Sequence, residues 1–201
     1  RVPDRRITVI PHGIDPARFP LADADAQRAA RSALGLPLDR PVAAYVGRFD
    51  IPKNEDWLLD LPDAAPSCHV VLMGEGPHEP ALRAAIAQRS LQSRITLLPY
   101  GDPLPLYRAC DLLVLPSARE GFSLVCAEAM AVGRPVLRTQ TAGTSELIRE
   151  GVTGLSVPIS RPAFLRAAAD LLAAPDRLTH MGRAAAEHVR TRLTFTAQFE
   201  Q

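Results

Sequence analysis

Short apolar runs alternate along the chain with longer, Ala-rich segments of helical periodicity. Residues 7–10, 42–46, 70–73, 95–98 and 112–115 read as strands, with weaker sixth and seventh candidates at 135–137 and 155–157. Most are stopped by glycine or proline: Pro11 and Gly13, Gly47, Gly74 and Pro116. Between and after them lie helical patterns at 81–92, carrying Leu82, Ala85, Ile86 and Arg89, and at 123–132, 161–173 and 176–192. The last opens after Pro175.

The strands are apolar throughout, without in–out alternation, as in a parallel sheet covered on both faces. Strand and helix alternate over short connections, which predicts an α/β, doubly wound parallel sheet with helices on both faces. Ligands of such sheets bind beyond the carboxyl ends of the strands. The loops that follow strands are therefore where chemistry is expected. The proline-rich stretches 61–66 and 99–105 read as ordered surface loops, and no internal repeat or interior linker is legible.

Composition narrows the function classes. The 201 residues carry a net charge of +1 and 5% aromatics, which argues against a nucleic-acid surface. No run approaches the length of a membrane span, and the charged start of the chain has no signal-peptide core. The chain reads as part of a longer one. Cys68, Cys110 and Cys126 are far apart among apolar neighbours, and read as buried thiols in a reducing, cytoplasmic compartment. The five histidines lack metal-like spacing, and His12 reads as a structural or exposed residue in a turn.

Four loops carry candidate chemistry. After the second strand, Gly47-Arg48-Phe49-Asp50-Ile51-Pro52-Lys53-Asn54 places two cations on one loop. They suit a diphosphate, with arginine as a fork and lysine as a point charge, and suit a solvated loop as well. Gly74-Glu75-Gly76-Pro77 permits close approach of a ligand, although a tight turn alone accounts for it. Thr144 or Ser145 is placed to cap a following helix, with Glu146 at its positive end.

The loop Pro116-Ser117-Ala118-Arg119-Glu120-Gly121-Phe122-Ser123 is the most informative. It opens a helix whose first backbone N–H groups lack partners and suit anionic or polar oxygens. Seven residues separate Glu120 from Glu128, which stands in an apolar segment. Carboxylates are seldom buried without partners, and ligand hydroxyls would serve. Pairing of Glu128 with Arg134 or Arg138, and capping by Glu120, account for these residues equally well.

The order and spacing of these motifs resemble the C-terminal domain of GT-B-fold retaining glycosyltransferases of the family 4, group 1 type. The resemblance covers nearly the whole chain. It runs from Val9-Ile10-Pro11-His12-Gly13-Ile14-Asp15 through Gly47-Arg48 with Lys53, Gly74-Glu75-Gly76-Pro77 and Tyr107-Arg108-Ala109-Cys110-Asp111. It is strongest at Leu115-Pro116-Ser117, Glu120-Gly121-Phe122 and Glu128-Ala129-Met130-Ala131, and closes with Gly133-Arg134-Pro135-Val136 and Gly151-Val152-Thr153-Gly154-Leu155.

The resemblance implies a Rossmann-like domain that binds a nucleotide-diphosphate sugar for retaining transfer to an acceptor. Arg48 and Lys53 would hold the donor diphosphate. Glu120 would be the catalytic residue, beside the donor sugar. Gly121, Phe122, Ser123 and Leu124 would line sugar and phosphate, and Glu128 would take the ribose hydroxyls. No metal and no cofactor is implied. Residues 1–201 would form one bacterial hexosyltransferase donor domain, inactive alone, with 193–201 a tail toward an N-terminal acceptor-binding domain. Any peripheral membrane contact would run through that other domain.

Two positions depart from the family pattern. Asn54 stands where a glycine usually follows the lysine, and asparagine tolerates positive φ better than most residues. The stretch 99–103 is short and proline-rich where the family contacts the base, so the base is not legible. Two other readings remain: a non-catalytic nucleotide-sugar-binding or scaffolding module, and a GT-B-fold epimerase or phosphorylase. A phosphorylase needs a pyridoxal-phosphate lysine, and Lys53, the only lysine, already sits in the diphosphate loop.

Overall fold

Six strands form one wholly parallel sheet: β1 (Val42–Val46), β2 (His69–Met73), β3 (Ile95–Leu98), β4 (Leu112–Leu115), β5 (Val136–Thr139) and β6 (Gly154–Val157), in the order β3-β2-β1-β4-β5-β6. This computed structural model describes residues 12–199, so the strand expected at 7–10 lies outside the described residues. Each of the other six expected strands is present within a residue or two of its predicted bounds. Every residue of β1, β2, β4 and β5 is buried, the two-sided burial expected of mainly apolar parallel strands, with His69, Arg138 and Thr139 as buried polar exceptions.

Helices cover both faces. On one side pack α1 (Ala24–Ala33), α4 (Leu104–Ala109), α5 (Leu124–Ala131) and α8 (Pro175–Arg192). On the other lie α2 (Leu61–Ala64), α3 (Glu79–Gln88), α7 (Arg161–Leu172) and a 3-10 turn at Glu55–Asp60. Two short helices, α6 (Thr144–Leu147) and α9 (Phe195–Phe199), complete the elements of the described residues. The start of the C-terminal tail is held by the chain itself: Leu193 is buried and Thr194 bridges to Ile14.

Several local expectations are corrected. Residues 61–64 form a helix, not a surface loop, with Leu61 and Pro62 buried. Residue 104 likewise begins α4, with Pro105 in its first turn. Proline is well suited to the first turn of a helix, where its missing N–H costs nothing. Helix α3 stops at Gln88, short of the predicted 92, because Ser90 takes a positive φ of 53°. At α6 the N-cap is Gly143 in the left-handed region, not Thr144 or Ser145; the Thr144 hydroxyl donates instead to the carbonyl of Thr141.

The loops at the carboxyl edge are fastened to each other through backbone. Phe49 N donates to Glu75 O at 2.9 Å and His78 N to Phe49 O at 3.1 Å, joining the loops after β1 and β2. A Cβ on Gly74 would stand 1.9 Å from Gly47 O, and one on Gly76 2.3 Å from Phe49 O. These glycines therefore let two backbones touch, which explains the glycine pair without a ligand.

Gly74→Ala is expected to cost about 2–3 kcal/mol, because backbone must shift to admit a methyl group. Gly121→Ala, where nothing lies within 4 Å of the added Cβ, should change stability by less than about 0.5 kcal/mol. Urea unfolding of both variants measures the difference; equal midpoints would contradict the packing described.

Candidate functional site

Strand order reverses between β1 and β4, since the chain builds outward from β1 to β3 and then returns to the other side. At such a reversal the loops after the two central strands diverge and leave a crevice between them. Those loops are 47–54 and 116–123, the two that carry the predicted cations and Glu120.

They are joined across the crevice. Ala118 N donates to Pro52 O at 2.7 Å, and the Asn54 side-chain amide donates to Pro116 O at 2.9 Å. Asn54 holds φ 53° and ψ 31°, so the asparagine does occupy the left-handed turn that a glycine would otherwise serve. Lys53 is thereby presented toward Glu120, and its Nζ lies 2.7 Å from Glu120 Oε2. Both side chains are largely sheltered, at 24% and 17% exposure. Glu120 is not the N-cap of α5: that position is Ser123, whose side chain makes no capping hydrogen bond.

Arg48 is not drawn into this pair. Its side chain is 70% exposed and its nearest carboxylate is Asp50, at 3.4 Å. Below it the Tyr45 hydroxyl donates to Arg48 O, fixing the backbone while the guanidinium remains in solvent. Gly121 is exposed, Phe122 half-buried and Ser123 buried, while Leu124 opens α5 exposed at the same edge. The ring of exposed His12 stacks near Phe122, with centroids 6.4 Å apart.

Glu128 lies half-buried on α5, and its Oε2 accepts the hydroxyl of Tyr107 at 2.8 Å. Burial raises its pKa above the ordinary carboxyl range, and the Tyr107 hydrogen bond and the charge of Arg18 act against the rise. Neither arginine weighed as its partner reaches it. Arg134 donates to the carbonyls of Tyr107 and Arg108, and Arg138 to Thr141. The fully buried Tyr107 comes from α4, on the other side of β4 in sequence, and the residues alone did not mark it as a partner.

A second buried carboxylate went unmarked. Glu55 is wholly buried, and its Oε1 lies 2.6 Å from His78 Nδ1. Burial raises its pKa, with the His78 contact opposing. This pair ties the 3-10 turn after Lys53 to the loop after β2. The three cysteines are buried free thiols, pushed up by burial to about 11 for Cys68 and Cys126 and about 12 for Cys110.

A cleft of about 780 Å³ lies at the opposite, amino edge of the sheet, beside Pro41, Asp111 and Pro135. Asp111, Arg31 and Gln27, which line it, are bonded to one another. Asp111 takes Arg31 at 2.6 Å, Val42 N at 2.7 Å and the Gln27 amide at 2.9 Å. That closed network ties α1 to the starts of β1 and β4, and its size does not make it the site.

The sequence model of the family Glycosyl transferases group 1 matches residues 40–174, a span that contains every one of these carboxyl-edge loops. The chain belongs to that family. Among curated relatives of this glycosyltransferase domain is the D-inositol 3-phosphate glycosyltransferase of Mycobacterium tuberculosis, 36% identical over 90% of this chain and 42% of the relative. Among solved structures, sucrose-phosphate synthase from Thermosynechococcus elongatus superposes with a TM-score of 0.83 at 30% identity, over 94% of this chain and 49% of that one. Anabaena HepE in complex with UDP-glucose gives a TM-score of 0.82 at 23% identity, over 94% and 54%. The chain thus spans about half the length of the proteins it matches, and its Rossmann-like sheet is the C-terminal half of a GT-B fold. Among the described residues, no helix is long and apolar enough to cross a membrane.

Tyr107→Phe is expected to cost about 1–2 kcal/mol in unfolding free energy and to raise the Glu128 pKa further, since the bond removed favours the carboxylate. Carbon NMR of labelled glutamate carboxyls measures the titration. An unshifted Glu128 would mean that the hydroxyl does not support the carboxylate in solution.

Proposed function

We propose that this domain binds the nucleotide-diphosphate sugar of a retaining hexosyltransferase, and that the donor lies across the crevice between the loops after β1 and β4. The observation that carries the reading is the Lys53–Glu120 pair at 2.7 Å. A cation and a carboxylate are held together at the reversal point of the sheet, beside an uncapped helix N-terminus. The solved relative that carries UDP-glucose supports the same reading.

In this reading the donor diphosphate takes over Lys53 from Glu120 and engages Arg48, whose guanidinium is free to swing inward from solvent. The N–H groups of Gly121 to Leu124 meet sugar and phosphate oxygens. Glu120, released from the lysine, faces the sugar. Ribose hydroxyls donate to Glu128, which Tyr107 holds in place.

Transfer breaks the bond between the anomeric carbon and the diphosphate oxygen, and the bonding electrons leave with the diphosphate. An acceptor hydroxyl forms the new bond on the same face, and its proton passes to the leaving phosphate. Lys53 stabilises the charge that develops there, the kind of preorganised electrostatic help that is worth about a hundredfold or more in rate. The chemistry needs no resident cofactor or metal. The acceptor site belongs to an N-terminal domain, so this domain alone binds donor without transferring sugar.

Calorimetric titration with UDP-glucose, GDP-mannose and ADP-glucose tests the reading. One of the three should bind, and Lys53→Met should weaken it about tenfold to a hundredfold, the range of a lost charge-assisted hydrogen bond. Affinity should rise with pH through the elevated pKa of Glu128, because hydroxyls donate to the ionised carboxylate. Above that range it should be flat, and Glu128→Gln should abolish the dependence. Arg18 and Asp102 are the charges acting on Glu128 in that window. A folded sample that binds none of the three sugars would overturn the assignment.

A further inference from the structure

Arg138 stands on β5 between Leu115 of β4 and Ser156 of β6, and it is only 1% exposed. Its Nη2 donates to Thr141 Oγ1 at 2.5 Å and reaches the carbonyl oxygens of Gly121 and Ala142, each at 3.5 Å. Its Nε and Nη1 are buried without any hydrogen-bond partner among the described residues. No carboxylate pairs with it there either. A guanidinium is a cation with five N–H donors and no acceptor. Burying one with two donor nitrogens unmet opposes folding, and an apolar side chain of similar length would be the more stable choice.

The position of the charge gives it a use. The acceptors of Nη2 belong to the loop that opens α5 and to the loop after β5. These two loops touch: a Cβ on Gly143 would lie 2.7 Å from Phe122 N and 2.8 Å from Gly121 O. The guanidinium therefore sits beneath the uncapped start of α5, where the helix already presents positive partial charge. The Cys126 thiol on the same helix reports the local field. Burial raises it, Arg138 is the strongest charge opposing the rise, and Glu120 and Lys53 act on it as well. All three charges lie within electrostatic reach of one sulfur.

We propose that Arg138 is a positioning residue for the anionic part of the donor: a permanent buried cation, anchored to the Gly121 and Ala142 loops, that holds the start of α5 in place and strengthens diphosphate binding there without touching it. The role rests on the donor reading given above. It also accounts for the lack of a paired carboxylate among the described residues, since a guanidinium whose charge was cancelled by an anion would offer less field to a ligand.

Arg138→Met and Arg138→Lys, titrated against UDP-glucose, GDP-mannose and ADP-glucose and followed in parallel by thermal unfolding, test the role. The methionine variant should melt at or above the wild-type temperature, yet bind the preferred sugar about tenfold more weakly. The loss should shrink as salt rises. The lysine variant, which keeps the charge, should recover to within about threefold of wild type. Should Arg138→Met fail to fold, Arg138→Gln supplies the neutral side chain for the same comparison. A folded neutral variant with wild-type affinity overturns the role while leaving the donor reading intact. So does a lysine variant as weak as the neutral one, which would assign the effect to shape instead of charge. A wild-type chain that binds none of the three sugars overturns the donor reading, and this role with it.

Discussion

A sheet of parallel strands buried on both faces has all its carboxyl ends along one edge, and everything at the site depends on where that edge splits. Here the split falls between β1 and β4. The loops on either side are then fastened by the backbone bond from Ala118 to Pro52, and the loop after β1 is fastened in turn to the loop after β2, Phe49 to Glu75 and His78 to Phe49. Those bonds, made without any ionic group, place Lys53 opposite Glu120. The ion pair is a consequence of the loop lattice. The pair is largely sheltered, at 24% and 17% exposure, and in the proposed reading a donor diphosphate takes over its lysine.

The two edges of the sheet treat polar groups in opposite ways. At the amino edge, Asp111 receives Arg31, Gln27 and the backbone of Val42 at once, and the network closes on itself. At the carboxyl edge, the Ser123 N-cap of α5 makes no side-chain capping bond and Arg48 extends into solvent, and among the described residues Arg138 keeps two nitrogens unmet and Glu128 has one hydroxyl partner in a half-buried setting. Unmet polar groups oppose stability. The unmet nitrogens of Arg138 lie toward the carboxyl edge, whereas the polar groups around Asp111 in the amino-edge cleft are paired.

Much of this was legible in the sequence. Two-sided burial leaves strands as unbroken apolar runs, so six strands were found within a residue or two, and with them the loops that bear Lys53, Glu120 and Glu128. Asn54 was readable as a left-handed turn because few other residues tolerate that conformation. Helix bounds were less legible. The stretch 61–64 reads as a loop by its proline, yet proline in a first turn is compatible with helix, and the burial of Leu61 decides the matter. Partnerships across elements were not legible at all. Tyr107 meets Glu128 because α4 and α5 pack on one face, and no spacing along the chain encodes that contact. Arg138 read as a possible counterion for Glu128, but β5 carries its guanidinium to the neighbouring loop instead.

The account stands or falls on Lys53 being the group that meets the donor diphosphate. Because it is the only lysine, reductive methylation with labelled formaldehyde places one side-chain methyl signal on the protein besides that of the chain's amino terminus. Carbon NMR of that signal during titration with UDP, GDP or ADP, at concentrations where calorimetry shows binding, reads the exchange of Glu120 for phosphate directly. The account predicts a saturable shift that follows the calorimetric curve and disappears with Lys53→Arg, which removes the reporter. A nucleotide that saturates the protein while the Lys53 signal stays in place would contradict it.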